Sequence, residues 1–318
     1  HGRRIKRHRP NGARRSMKHE AAIEEPKQDL RSQFALWSEL IKLRLTTMVL
    51  ITTAMGFYLA SVNGFDWALL LHALFGTGIL AGGAAALNEY LEKDFDAKMP
   101  RTANRPIVTG VISPERALLA GGAMAAIGLV HLAYKVNLIT SVVGAVTLIS
   151  YVAVYTPLKR VTTLNTLIGA IPGSLPPLMG WTAATGSTGA IATEGWSLVA
   201  ILFFWQLPHF LAIAWIYRED YEKAGFRMIS EGEQGASNTG KSAVLYCVAL
   251  IPAAMSPTLM GISGTIYCVG AIVLSLYFAV LSWKFSREMT LESARHLFYY
   301  SLLYLPLLLG LMVWDRAA

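Results

Sequence analysis

The chain has 318 residues, 54% of them hydrophobic and only 15% charged, with a mean hydropathy of +0.43; a soluble domain of this length needs a far more charged surface, so that class is excluded. Its net charge of +8 gathers in the first 40 residues, which carry 10 of the 28 Lys and Arg and 5 of the 20 acids. The basic balance therefore does not call for a nucleic-acid partner.

Residues 1–16 precede Met17 and lack apolar periodicity, which predicts disorder. The chain stays polar to about Asp29. Phe34, Leu36, Trp37, Leu40 and Ile41 then have the spacing of a short amphipathic helix on a membrane surface, with a solvated leader as the alternative. Residues 1–40 thus read as a basic tail and 41–318 as a membrane domain.

Crossing a bilayer takes about 20 apolar residues per helix. Nine runs have that character: Leu45–Val62, Trp67–Leu87, Glu115–Tyr134, Leu138–Tyr155, Leu164–Ala184, Trp196–Tyr217, Ser242–Gly261, Thr265–Trp283 and His296–Trp314. The expected fold is all-α, a polytopic membrane protein of nine transmembrane helices around a central cavity. Cys247 and Cys268 fall inside these runs without metal or redox spacing and read as small apolar residues. Beyond the tail, 16 basic residues lie in the loops on the side of the N-terminus, against Lys135 and Arg316 on the other. The positive-inside rule then puts the N-terminus in the cytoplasm and the C-terminus outside.

The second run ends in a stretch, Asn88–Pro106, that is dense in acids and bases. On a helix Asn88, Glu92 and Asp96 fall within an arc of roughly 80°, an amide and two carboxylates on one face. Mg²⁺ takes such oxygen ligands and shares them with substrate phosphates. Pro100 predicts a turn at Met99 that brings Lys98, Arg101 and Arg105 back over the same mouth. Metal-binding acids beside phosphate-binding bases point to a diphosphate site; a salt-bridged helix end, Asp94 with Lys98 for instance, is the alternative.

The fifth run is interrupted by Gly169, Pro172, Gly173, Pro176, Pro177 and Gly180, and reads as a pocket wall or a packing kink. After the sixth run, Tyr217–Gly225 holds a second acidic cluster, with Asp220 the preferred ligand beside Glu219 and Glu222. His209, in Trp205-Gln-Leu-Pro-His-Phe210, precedes Asp220 by eleven residues. On a helix continuing past Pro208 it would look into the same cavity about three turns deeper. It is either an iron or carbonyl partner or a packed histidine; for His72, His131 and His296 packing is the plainer reading.

Together these segments resemble the intramembrane prenyltransferases of the UbiA superfamily, and within it the branch whose acceptor is haem. The resemblance runs from about Leu40 to Leu311. Its carriers are Asn88-x₃-Glu92-x₃-Asp96 with the continuation to Pro106, Tyr155-Thr-x-x-Leu-Lys-Arg160, Asn165, Gly169, Pro176-Pro-Leu-x-Gly-Trp181, and the Trp205–Phe210 and Tyr217–Gly225 blocks. Glu92 stands where the superfamily has Asp, Lys42-Leu43-Arg44 where it reads Lys-Pro-Arg, and Phe226-Arg227-Met228 where it reads Ile-Pro-Met.

The resemblance implies transfer of a farnesyl group from farnesyl diphosphate to a vinyl of haem b, giving haem O for a terminal oxidase. It places Mg²⁺ on Asn88, Glu92, Asp96, Asp220 and Glu219. It makes Lys98, Arg101, Arg105, Lys159, Arg160, Lys42 and Arg44 the diphosphate clamp, and His209, Trp205 and His131 the haem contacts. It further implies a bacterial cytoplasmic membrane and a haem A synthase or oxidase assembly factor as partner. The competing expectations are prenylation of another aromatic acceptor and, from a different class, secondary transport.

Overall fold

Inside a bilayer the backbone has no water to bond, so each apolar run must close its own hydrogen bonds as a helix. A computed structural model describes residues 1–2, 30–62, 64–186 and 193–317, and among them there is no strand. The predicted basic tail falls largely on residues 3–29, outside the described residues.

In chain order the helices are α1 (Leu30–Leu40), α2 (Leu43–Ala60), α3 (Trp67–Asp96), α4 (Pro114–Lys135) and α5 (Leu138–Ile149), the last continuing through a π-helical turn, Ser150–Tyr155, into the short α6 (Thr156–Leu158). They are followed by α7 (Asn165–Ser174), α8 (Pro176–Thr185), α9 (Thr193–Ile216), α10 (Arg218–Ala224), α11 (Gly235–Leu259), α12 (Thr265–Glu288) and α13 (Leu291–Trp314). Among the described residues eight helices, with α5 and α6 taken together, are long and apolar enough to cross a membrane. The remaining expected run, Leu164–Ala184, is occupied by α7 and α8, which part at Leu175. Pro176 and Pro177 explain the break: neither has an N–H to continue the ladder, so the hydrogen bonding lapses although Leu175 itself keeps helical dihedrals, φ −78° and ψ −23°.

Small residues set how closely these helices approach. A Cβ on Gly83 of α3 would stand 2.7 Å from Ala125 N and Gly121 O of α4. Added methyls on Gly56 and Gly180 would strike the opposite backbone, at Pro177 O and Thr53 O. The α2–α8 crossing is therefore backbone against backbone, the small-residue packing of membrane helices. In the other half, α9, α11, α12 and α13 close around Cys247, Phe278, Phe285, Leu297 and Tyr304, all fully buried.

Outward faces carry Leu71, Leu119, Leu245, Val273 and Leu303, as a lipid-facing surface does. α1 docks through Leu40, which packs with Ala86, Ile107, Ile112 and Ala117 and leaves Phe34 and Trp37 exposed. One end of the bundle thus collects α1, the C-terminal end of α3, the 97–113 loop, α6 and α10.

Candidate active site

At that end Asn88, Glu89, Glu92 and Asp96, the C-terminal residues of α3, are 1–4% exposed. Burying three carboxylates is costly unless each is paired, and the partners come from three other segments. Lys159, just beyond α6, puts Nζ 2.6 Å from Glu92 Oε1. Arg105 reaches back from the loop with NH1 2.5 Å from Asp96 Oδ2 and Nε 3.9 Å from Glu89 Oε1. Lys42 donates to Asn88 Oδ1 at 2.6 Å, and Asn88 Nδ2 donates to Thr156 Oγ1 at 3.0 Å.

Each partner is placed by a local device. Lys42 links α1 to α2 in a left-handed conformation, φ 49° and ψ 55°. That is costly for a side-chain-bearing residue by about 1–3 kcal/mol, and such strain concentrates at functional positions. Burial, followed by the charge of Arg105, lowers the Lys42 ammonium to about 8, while Glu92 and Glu89 pull it back up. Burial also lowers Lys159, but Tyr155 and Glu92 outweigh it and the group ends above the ordinary lysine range. The π-helical turn stacks Tyr151 on Tyr155 at 5.9 Å, and Lys159 Nζ lies 4.7 Å from the Tyr155 ring centroid. Turns of this kind recur at functional sites.

The cluster balances three cations against three carboxylates and offers only hard oxygen donors. Glu89 Oε2 is buried without a hydrogen-bond partner. Among the described residues no three acid, histidine or cysteine side chains converge into a metal cage. This donor set fits Mg²⁺, which binds through one or two carboxylates and completes its shell with water and substrate phosphate.

The remaining expected bases frame the cluster without entering it. Arg160 donates to Leu91 O at 2.6 Å and stacks 3.8 Å from the Phe95 centroid, along the adjacent row of α3. Lys98 lies 5.3 Å over Phe95, and Arg101 lies 5.2 Å over the Tyr217 ring with a 3.4 Å bond to Tyr221 Oη. Arg44 is exposed. Of the three bases expected to fold back after Pro100, Arg105 alone joins the acids.

The second acidic cluster lies at the same end of the bundle. Met99 packs with Ala224 and Phe226, and Phe95 stands 5.6 Å from Phe226. Asp220 is half-buried and, among the described residues, pairs with none of the bases that hold the α3 acids. Glu219 is exposed, faces Arg218 at 3.5 Å, and lines a cavity of about 250 Å³ with Glu222, Glu231 and Glu233.

The expectation of one helix carrying His209 and Asp220 is corrected: α9 stops at Ile216, and Tyr217, with φ −109° and ψ 22°, turns the chain into α10. His209 faces α13, its Nδ1 2.7 Å from Ser301 Oγ. Trp205 stacks on it at 5.6 Å and Phe298 at 5.0 Å. His131 lies elsewhere, in the last turns of α4, 5.3 Å from His72 and 5.0 Å from Phe75.

Sequence reasoning passed over Glu89, Thr156 and Ser301. Glu89 had a readable signal, since it precedes Asp96 by seven residues and so shares its helix face within about 20°.

Residues 49–305 match the UbiA prenyltransferase family. The chain is 43% identical over 287 residues to the protoheme IX farnesyltransferase of Solibacter usitatus, covering 87% of this chain and 97% of that one. It is 38% identical over 296 residues to the human mitochondrial protoheme IX farnesyltransferase, covering 93% of this chain and 66% of that one. In fold it is similar to a digeranylgeranylglyceryl phosphate synthase, with a TM-score of 0.74 at 15% identity over 89% of this chain and 98% of that one. A UbiA homologue from Archaeoglobus fulgidus bound to DMAPP and Mg²⁺ gives a TM-score of 0.60 at 16% identity over 85% and 99% of the two chains.

Proposed function

The chain belongs to the UbiA prenyltransferase family, and on that premise we propose that it transfers a farnesyl group from farnesyl diphosphate to a vinyl carbon of haem b, giving haem O. The observation that carries the reading is the buried, charge-balanced cluster of Glu89, Glu92 and Asp96 with Lys42, Arg105 and Lys159 at one end of an otherwise apolar bundle. A diphosphate adds negative charge to it, and Mg²⁺, when bound, supplies the compensating positive charge at the leaving group.

Asn88, Glu92 and Asp96 would hold the metal, with Asp220 and Glu219 of α10 as the further oxygen donors. Lys159, Arg105 and Lys42 turn from the carboxylates towards the diphosphate oxygens, and Arg101, Arg160, Lys98 and Arg44 form the outer positive rim. As the C1–O bond breaks, these bases stabilise the departing diphosphate. The allylic cation is attacked by the haem vinyl, water adds to the cation left on the haem side chain, and a proton is lost to give the hydroxyl of the product. The apolar walls keep water from the first cation. His209, flanked by Trp205, holds the haem iron.

The distribution of basic residues supports a cytoplasmic acid-rich end, and with α7 and α8 together taken as a ninth crossing the C-terminus lies on the opposite side. The membrane is bacterial, and a haem A synthase or oxidase assembly factor receives the product. Purified protein in detergent, given haem b, farnesyl diphosphate and Mg²⁺, yields a more hydrophobic haem. Absence of that product, with 4-hydroxybenzoate prenylated in its place, overturns the choice of acceptor; solute accumulation by proteoliposomes with no prenyl product overturns the enzyme reading.

A further inference from the structure

The environment of His209 carries more than a contact. Ser301, fully buried on α13, has its Oγ 2.7 Å from His209 Nδ1 and 2.5 Å from the carbonyl oxygen of Phe298. A hydroxyl has one proton, and a carbonyl oxygen only accepts. Ser301 Oγ donates to the Phe298 carbonyl, the back-bond a helical serine makes to the preceding turn, and its single proton is then committed there. Oγ is then an acceptor towards the imidazole, and Nδ1 must carry a proton. The same residue's carbonyl accepts from Trp205 Nε1 at 2.8 Å, so Ser301 ties down the indole that stacks on His209 as well as the imidazole itself. Phe298, one turn before Ser301, stacks on the imidazole at an interplanar angle of 28°.

We propose that Ser301 is a positioning residue of the acceptor site: it holds His209 in the Nδ1–H tautomer, so that Nε2 carries the lone pair offered to the iron of the haem substrate. The inference rests on the reading of His209 as the acceptor ligand. Hydrogen bonding at the far nitrogen orients a ligating histidine and raises its basicity, and removing such a partner typically costs about 10–100-fold in metal affinity. Glu92, Asp96 and their bases, at the end of the bundle, are independent of it.

The tautomer is tested first in the unaltered protein, by ¹⁵N magnetic resonance of histidine-labelled material with H209A as the subtraction. The expected spectrum has a protonated Nδ1 and an unprotonated Nε2 for residue 209; the reverse assignment overturns the proposal. Titration with haem b and resonance Raman of the ferrous complex then compare the wild type with S301A and S301T. S301A is expected to weaken binding about 10–100-fold and to lower the iron–histidine stretching frequency, while S301T, which keeps the hydroxyl, retains both values. Wild-type affinity and frequency in S301A overturn the role of Ser301. An iron–histidine band that persists in H209A overturns the assignment of His209 itself, a distinct result.

Discussion

Lys159 and Glu92 meet at 2.6 Å across 67 residues of sequence, joining the end of α3 to the turn that leaves the α5–α6 helix. Glu92 is 4% exposed, and Lys159 is the base that pairs with it. Lys159→Met leaves that carboxylate buried without its counter-ion, a loss of about 3–5 kcal/mol, and on the proposed mechanism removes a donor to the leaving diphosphate, about 10²–10³ in kcat. Thermal unfolding in detergent and steady-state turnover read the two effects separately. Wild-type kcat in a folded Lys159→Met protein would show that the lysine serves only the fold.

Arg105 holds two carboxylates at once, Asp96 through NH1 and Glu89 through Nε. A lysine ammonium is a point charge and cannot reproduce the fork. Arg105→Lys should therefore raise the KM for farnesyl diphosphate roughly tenfold, about 1.4 kcal/mol, with haem affinity unchanged. An unaltered KM would remove Arg105 from the diphosphate clamp.

Asp96→Ala separates the two substrates. On the metal role proposed for this carboxylate, turnover with Mg²⁺ should fall below detection, whereas haem b should titrate as in the wild type because His209 lies on a different helix and faces α13. Parallel loss of haem binding would mean that the two subsites are one.

Gly180→Ala tests the α2–α8 contact, where a methyl would strike Thr53 O and crowd Phe57 N at 2.7 Å. Overpacking of this kind costs about 1–3 kcal/mol, read as a lower unfolding temperature. Gly122→Ala is the control: nothing lies within 4 Å of its added methyl, and exchanging a helical glycine for alanine there should be neutral or stabilising by up to about 1 kcal/mol. Equal stability of the two variants would mean that α2 and α8 separate readily.

Much of this architecture was open to sequence reasoning because it depends on local chemistry. Hydropathy over each run decides whether the chain enters a bilayer, and the prolines around Leu175 decide where the fifth run breaks. The Asn88, Glu92 and Asp96 spacing decides that one helix face carries the oxygen donors, and the basic loops carry the orientation argument. Pairing is another matter, since an ion pair forms only where packing brings its partners together. Lys159 and Arg160 are neighbours in sequence, yet one enters the cluster and the other lies along Leu91 and Phe95. Glu89 drew no reading from the sequence, and it is the fold of the loop that brings Arg105 back beside it. An unbroken helix would align His209 with Asp220, but Tyr217 turns the chain and the imidazole meets Ser301, 92 residues away. The sequence by itself determined the membrane helices and the chemical types gathered at one end of them. Which base neutralises which acid, and which side chain meets His209, were decided by tertiary structure, because buried charges and polar groups answer to their nearest neighbours in space.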